Sequence, residues 1–452
     1  MFAIFWIVRS SRTMTVEGLP EKLGRHTREV RRIIMQMFPG TSLGKFIWKT
    51  RMKELNMSES LAVTQAHASD FAELLEVLHV SYGRNVETLP PFDILYPDIY
   101  RPVESDLANI FVIRDQGKIV NTVGLYPLHL YLGESIVEIG GIGGVCTLPE
   151  YRGKNLMKQN FDFVMGEMVR REYPFGWLSG DRRRYRPWGF EICKNKYCLT
   201  LGARGPGFEN YIGKVSGRIK EGLVDELDWP TLWRQTENFP ELRACGEEKL
   251  RLKYRRIHQK IYMVEGTPEA HILVHETPEC RQILSYAGDP ATVAAIAAEK
   301  IKSDAKEIEI IMPAHPNLFC GPMDELMTSY QLAYSGEISI VNLAKTFSLF
   351  RTHLDGRVSD LGLKGSVRLV MGPTRQTPRQ EVILEADGRQ LHIETGVSKS
   401  ATGPAIEMTC HQMVELLFSP LCLNWMDRIE SSTRWLAALM PLPIFIPPLY
   451  HV

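Results

Sequence analysis

A mixed α+β fold divided among several domains is what this sequence predicts, and three observations carry it. The chain has 452 residues, more than one hydrophobic core usually organises. Short runs that read as antiparallel hairpins come first, and a helix of period 3.6 follows them. A similar succession of strands, helix and strand begins again near Pro268, and a third block opens near Val341. Apolar residues make up 44% and charged residues 23% of the chain, the proportions of a globular protein.

Lys plus Arg total 53, and so do Asp plus Glu. A zero balance gives no reason to expect nucleic acid or an anionic membrane as partner. No apolar run reaches the roughly 20 residues of a membrane span. The start, Met1 to Val8, lacks the basic region and cleavage site of a signal peptide. Eight scattered cysteines form no C-x-x-C pair, which suits reduced thiols in a cytoplasm. His271 and His275 are not in an H-E-x-x-H setting, and no metal is expected.

Residues 1–57 read as an N-terminal extension. Leu61–Val63 is a short strand, and Ser69 or Asp70 caps a helix over Phe71–Leu78. Residues 83–107 are loop-rich. Ile110–Arg114 and Ile119–Leu125 form a hairpin across Gln116-Gly117. Leu128–Leu132 and Ile136–Ile139 form a second, whose last strand runs through Gly140–Gly144 to Val145, Cys146 and Thr147. Glycines inside a strand mark a bulge or a close approach to a ligand. A helix follows Pro149, with Leu156, Met157, Phe161, Val164, Met165 and Met168 on one stripe. In the second block His271–Val274 and Arg281–Tyr286 pair, Ala291–Ile301 is a helix and Ile308–Ile311 a strand. In the third, Ser366–Val370, Glu381–Glu385 and Gln390–Ile393 are strands and His411–Phe418 a helix. Residues 60–200 and 205–335 share a layout that a diverged duplication would leave.

The informative stretch is Val145 to Lys158, where a strand ends, a tight basic loop follows and a helix begins. A helix start offers free backbone N–H groups and the positive end of a dipole, a place for phosphate oxygens. Arg152, Lys154 and Lys158 add charge that suits a pyrophosphate. A plain strand-to-helix turn with a solvated basic loop fits the same residues. The G-x-G-x-x-G spacing of a dinucleotide fold is absent.

Pro149-Glu150-Tyr151-Arg152-Gly153-Lys154-Asn155-Leu156 resembles the coenzyme A loop of GNAT N-acetyltransferases, R/Q-x-x-G-x-G/A. Arg152 matches the first position, while Asn155 and Met157 stand where glycine, and glycine or alanine, are usual. Arg184-Tyr185-Arg186-Pro187-Trp188-Gly189-Phe190 resembles the family's later Y-x-x-x-G-F segment. The layout beyond residue 200 is similar to the Eis (enhanced intracellular survival) acetyltransferases. That resemblance implies two GNAT-like domains, 58–202 and 203–338, the second without a cofactor loop. A sterol-carrier-protein-like domain, 339–452, would follow.

The resemblance implies acetyl-CoA as co-substrate. It would bind along Val145, Cys146 and Thr147, over Arg152, Gly153, Lys154, Asn155, Leu156, Met157 and Lys158, and beside Gly180 and Asp181. Tyr185 would be the general acid and the α-carboxylate of Val452 the general base, with Glu138 in reserve. The acceptor would be a small-molecule or lysine-type amine, and the family suggests assembly into a homo-oligomer. The tail Met440–Val452 adds a physical argument: it is apolar and rich in proline, so it is expected buried and extended. Two rivals remain, transfer of a longer acyl or aminoacyl group on the doubled scaffold, and a non-catalytic protein that binds CoA or lipid.

Overall fold

The computed structural model describes residues 61–83, 90–132, 135–193, 196–230, 233, 246–313, 321–334, 336–395, 403–419 and 431–451. The extension 1–57 and Val452 lie outside the described residues. The elements below belong to the compact unit that begins at Val63.

Six strands come first: β1 (Val63–Gln65), β2 (Ile110–Asp115), β3 (Lys118–Leu132), β4 (Ser135–Thr147), β5 (Phe175–Leu178) and β6 (Glu191–Ile192). Then follow β7 (Lys196–Leu201), β8 (Ile219–Gly222), β9 (Gln259–Val264), β10 (Thr267–Glu276), β11 (Arg281–Ala287), β12 (Ile308–Pro313) and β13 (Met327–Ala333). The last are β14 (Glu337–Ile340), β15 (Lys364–Met371), β16 (Gln380–Asp387), β17 (Leu391–Thr395) and β18 (Ala405–Met408). The longer helices are α1 (Phe71–Tyr82), α2 (Leu156–Arg170), α3 (Glu247–Tyr254), α4 (Pro290–Asp304), α5 (Leu343–Leu349), α6 (Arg351–Leu361) and α7 (Cys410–Phe418).

The first sheet has the order β1-β2-β3-β4-β5-β14-β6 and the second β8-β9-β10-β11-β12-β7-β13. Strand directions match position by position. Every pair is antiparallel except β4–β5 and β11–β12. Each parallel pair is joined by a crossover helix, α2 or α4, as parallel strands require. Each sheet takes its sixth strand from the other half of the chain. Lys196–Leu201 follows directly on the first sheet yet pairs in the second, and Glu337–Ile340 returns to lie between β5 and β6. The third sheet is β17-β16-β15-β18.

Two local differences from the expected elements, and one expected turn, have physical reasons. Ile119–Leu125 and Leu128–Leu132 are one strand, because β2 ends opposite Gly124 and Pro127 sits where β3 has outrun it. The first hairpin turn holds Gln116 at φ 49° and Gly117 at φ 84°, both left-handed, as a two-residue turn of this twist demands. After Pro149 there is only one 3₁₀ turn, Pro149–Tyr151, and α2 starts at Leu156.

The stripe of α2 buries Phe161, Val164, Met165 and Met168 against one face of the first sheet, with Met157 half-buried beside them and Leu156 buried at the helix start. Each of the fully buried side chains contributes about 1.5–3 kcal/mol. On the other face Phe175 and Trp177 join a core shared with β15, β16, α7 and the chain end. The tail is buried as expected: Leu442, Ile444, Ile446 and Leu449 are at most 2% exposed. Among the described residues no helix is long and apolar enough to cross a membrane.

Candidate functional site

The strands β4 and β5 pair only at Gly140, Gly141 and Ile142. Beyond that they part, and the end of β4 loses its neighbour on that side. The same stretch carries a bulge, since Gly144 and Val145 together stand opposite Val123. Gly144 has φ 58°, a left-handed value that glycine accepts at no steric cost. The Thr122 hydroxyl donates to the Gly144 carbonyl at 2.5 Å, and the Tyr82 hydroxyl to the Val145 carbonyl at 3.0 Å.

Beneath the bulge lies a buried amide network. Asn121 donates to the Cys146 carbonyl at 2.6 Å and to the Thr147 hydroxyl at 2.9 Å. Asn160 of α2 donates to Asn121 Oδ1 at 2.7 Å and to the Phe111 carbonyl at 2.9 Å. The strand end and the helix start are thereby fixed relative to each other, which a binding edge needs.

A cavity of about 560 Å³ opens there. The end of β4 lines it with Val145, Cys146 and Thr147, and the loop and helix start with Arg152, Gly153, Asn155, Leu156, Met157 and Lys158. Asn155 has φ 62° and its side chain caps nothing, so it serves as the left-handed hinge that glycine usually supplies. The first helical bond runs from Gln159 N–H to the Asn155 carbonyl, 3.0 Å. The amides of Leu156, Met157 and Lys158 precede it, the unsatisfied donors of a helix start. The matching turn of the second sheet is different. There the Asp289 carboxylate accepts from the Thr292 amide at 2.9 Å, and Pro290 occupies the first turn. That helix start already holds an anion of its own.

Three predicted cofactor residues do not line the cavity. Lys154 lies over the Tyr151 ring, its Nζ 4.1 Å from the centroid. Asp181 accepts from the Arg183 amide at 2.9 Å and caps the one-turn helix Arg182–Tyr185. Gly180 lies under Tyr185, whose ring would stand 2.5 Å from a Cβ there. Cys146 is buried beside Thr122, its Sγ 3.2 Å from the hydroxyl, and burial pushes its thiol pKa up. It suits packing rather than nucleophilic attack.

Tyr185 is buried against Phe161, ring centroids 5.2 Å apart, next to Arg184, which lines the cavity. Burial pushes its phenol pKa up, with the Arg184 charge opposing. The segment after it is held from afar. His411 Nε2 lies 2.9 Å from the Arg186 carbonyl, the Arg375 amide donates to the Pro187 carbonyl at 3.2 Å, and the Ser339 hydroxyl donates to the Trp188 carbonyl at 2.7 Å. Glu138 pairs with His129 at 3.1 Å. It lies seven residues up β4 from Val145, about 23 Å along the strand.

The chain end reaches the same region by a route the sequence does not reveal. Asp98 is 4% exposed and accepts two bonds from Arg256 and one from Lys253, all at 2.8 Å. Those cations also reach the tail: Lys253 donates to the Leu449 carbonyl at 3.3 Å and Arg256 to the His451 carbonyl at 3.1 Å. The His451 ring lies 5.0 Å from that of Trp177, which pairs with Gly141 just before β4 and β5 part. Burial, with the charges of Lys196, Arg256 and Lys253, pushes the imidazole pKa down to about 3. His451 is therefore neutral at pH 7.

Sequence reasoning missed Ser81, Tyr82 and Tyr151 among the lining residues, and Asp98, Lys253 and Arg256 behind the tail. Of these only Tyr151, inside the Val145–Lys158 run, carried a local signal. Among the described residues no cluster of three or more His, Cys, Asp or Glu is arranged to hold a metal.

Residues 62–193 match the model of a GNAT acetyltransferase domain. Solved structures share the fold over most of the chain. A GCN5-related N-acetyltransferase from Kribbella flavida is 14% identical, with a TM-score of 0.59 over 84% of this chain and 98% of its own. One from Anabaena variabilis is 16% identical, with a TM-score of 0.59 over 86% and 98%. Eis1 from Mycobacterium abscessus is 13% identical, with a TM-score of 0.55 over 86% and 98%. None of the curated proteins matches the chain significantly.

Proposed function

We propose that this chain is an Eis-like N-acyltransferase that moves an acetyl group from acetyl-CoA to a primary amine by direct attack. One observation carries the reading. The parting of β4 and β5 opens beside a helix start whose free amides and basic residues line one cavity. In this reading the halves 58–202 and 203–338 are both GNAT-like, and 339–452 is the sterol-carrier-protein-like domain. The exchange of one strand between two sheets of equal order supports a duplicated origin. The self-capped start of α4 explains why only the first half would bind cofactor.

The pyrophosphate of CoA rests on the amides of Leu156–Lys158, with Arg152 and Lys158 beside it. The pantetheine arm extends along Val145–Thr147, where β4 lacks a neighbour. A backbone N–H at the bulge holds the thioester oxygen as charge develops on it. The Val452 carboxylate takes the proton from the attacking amine, and Tyr185 protonates the leaving thiolate. Glu138 fits a base role poorly at its distance along β4.

The test is thiol release from acetyl-CoA with a panel of primary amines. Turnover supports the reading, whereas saturable CoA binding with no transfer to any amine favours a non-catalytic CoA-binding protein. Arg152→Ala is expected to weaken CoA binding about tenfold, the loss of one charge-assisted contact, measured by calorimetry. Deleting Val452 is expected to cut turnover about 100-fold and leave CoA affinity in place. An unchanged rate would sink the carboxylate role.

A further inference from the structure

Glu337 is a carboxyl group the proposed chemistry does not use. It lies in β14, the strand that the far half of the chain lends to the first sheet, opposite Leu178 of β5 and Ile192 of β6. Residues opposite each other share a face of a sheet, so Glu337 shares that of Leu178. The Leu178 side chain and the Tyr185 ring both close on Gly180, within 3.3 Å and 2.5 Å of where its Cβ would stand. Glu337 is thus one strand, roughly 5 Å, from Leu178, two residues before the Gly180 on which Tyr185 sits. It is 2% exposed, and its Oε2 has no hydrogen-bond partner among the described residues.

We propose that Glu337 governs proton delivery by Tyr185: as a neutral acid it leaves the phenol free to protonate the thiolate, and as a carboxylate it holds that proton back. The inference rests on the acyl-transfer reading above. In the step itself the phenol O–H breaks, the thiol S–H forms, and solvent returns a proton to the phenolate. Glu337 exchanges its own proton with solvent and touches no substrate, so it is a positioning residue.

The surroundings support this. Burial pushes the Glu337 pKa up to about 7, the Glu191 and Asp181 charges add to it, and Arg182 opposes. The ionised form in turn pushes the Tyr185 phenol up. Leu178 and Trp177 of β5 bring no charge. In β6, Glu191 is bound by Arg182 and Arg186. The loop after β5 brings Asp181, Arg184 and Tyr185, and α7, packed on β14, brings Cys410, His411 and Glu415.

The experiment compares kcat against pH for the wild type and Glu337→Gln, using acetyl-CoA and an amine the wild type acetylates. The variant-to-wild-type ratio is expected near one at pH 6 and about three- to tenfold by pH 8.5. Glu337→Asp, which keeps an acid, is expected to keep a break in the profile and move it. Parallel profiles for wild type and Gln variant overturn the inference. A second arm needs no activity. An acid whose folded pKa lies above its unfolded value costs the fold stability as pH rises between the two. The wild type should therefore lose melting temperature relative to Glu337→Gln between pH 5 and pH 8, and an unchanged difference overturns the inference. If the wild type releases no thiol with any amine, the acyl-transfer reading falls instead, while melting still reports whether Glu337 titrates there.

Discussion

Tyr185→Phe is expected to lower the rate of thiol release by about 100-fold or more while CoA affinity stays within about threefold. The structure makes this a clean substitution. The ring packs on Phe161 and lies 6.4 Å from Phe190, and phenylalanine keeps both contacts. Melting temperature should hold, because the change removes a hydroxyl and little volume. Stopped assays of free thiol, with calorimetric CoA titration on the same sample, separate the two parameters. A full rate in the variant would remove Tyr185 from the mechanism and leave proton delivery to solvent.

Asp98→Ala is expected to destabilise the fold by about 3–5 kcal/mol, the cost of stripping a buried carboxylate from its cations. Lys253 and Arg256 are 4% and 7% exposed, so neither escapes to water when Asp98 is gone. Denaturant melts measure the loss. Burial alone would raise the Asp98 pKa, but Lys253 and then Arg256 overcome it and hold the carboxyl well below its usual range. Its contribution is therefore complete above an unfolded pKa of about 4 and fades as pH falls toward the folded value. The wild type should lose stability with acid over that window more steeply than the variant. The same cations hold the Leu449 and His451 carbonyls, so the variant should also release the tail to proteases.

What was legible in the sequence was contiguous. Val145 to Lys158 carries strand, hinge and helix start in one run, and Asn155 takes the left-handed backbone its type allows. The α2 stripe repeats at helical spacing and is buried as read except at Met157, which is half-buried. The illegible parts join residues far apart: Lys253 to Asp98 spans 155 positions, and Lys253 to Leu449 spans 196. No local pattern encodes such a meeting. Glu337-Ile338-Ser339-Ile340 alternates like a strand with one face in water, yet both faces are covered. Strand pairing partners are chosen by tertiary packing, so the placement of β7 and β14 could not be read from either segment alone.

The exchange of β7 and β14 also has a consequence for biosynthesis. When β5 leaves the ribosome its outer edge has no neighbour, and the strand that will cover it is still some 160 codons away. At 5–20 residues per second that wait lasts roughly 8–30 s. Through that interval the nascent first sheet presents an open edge, the kind that recruits other chains. The half that carries the cavity cannot complete its sheet before the second half is translated.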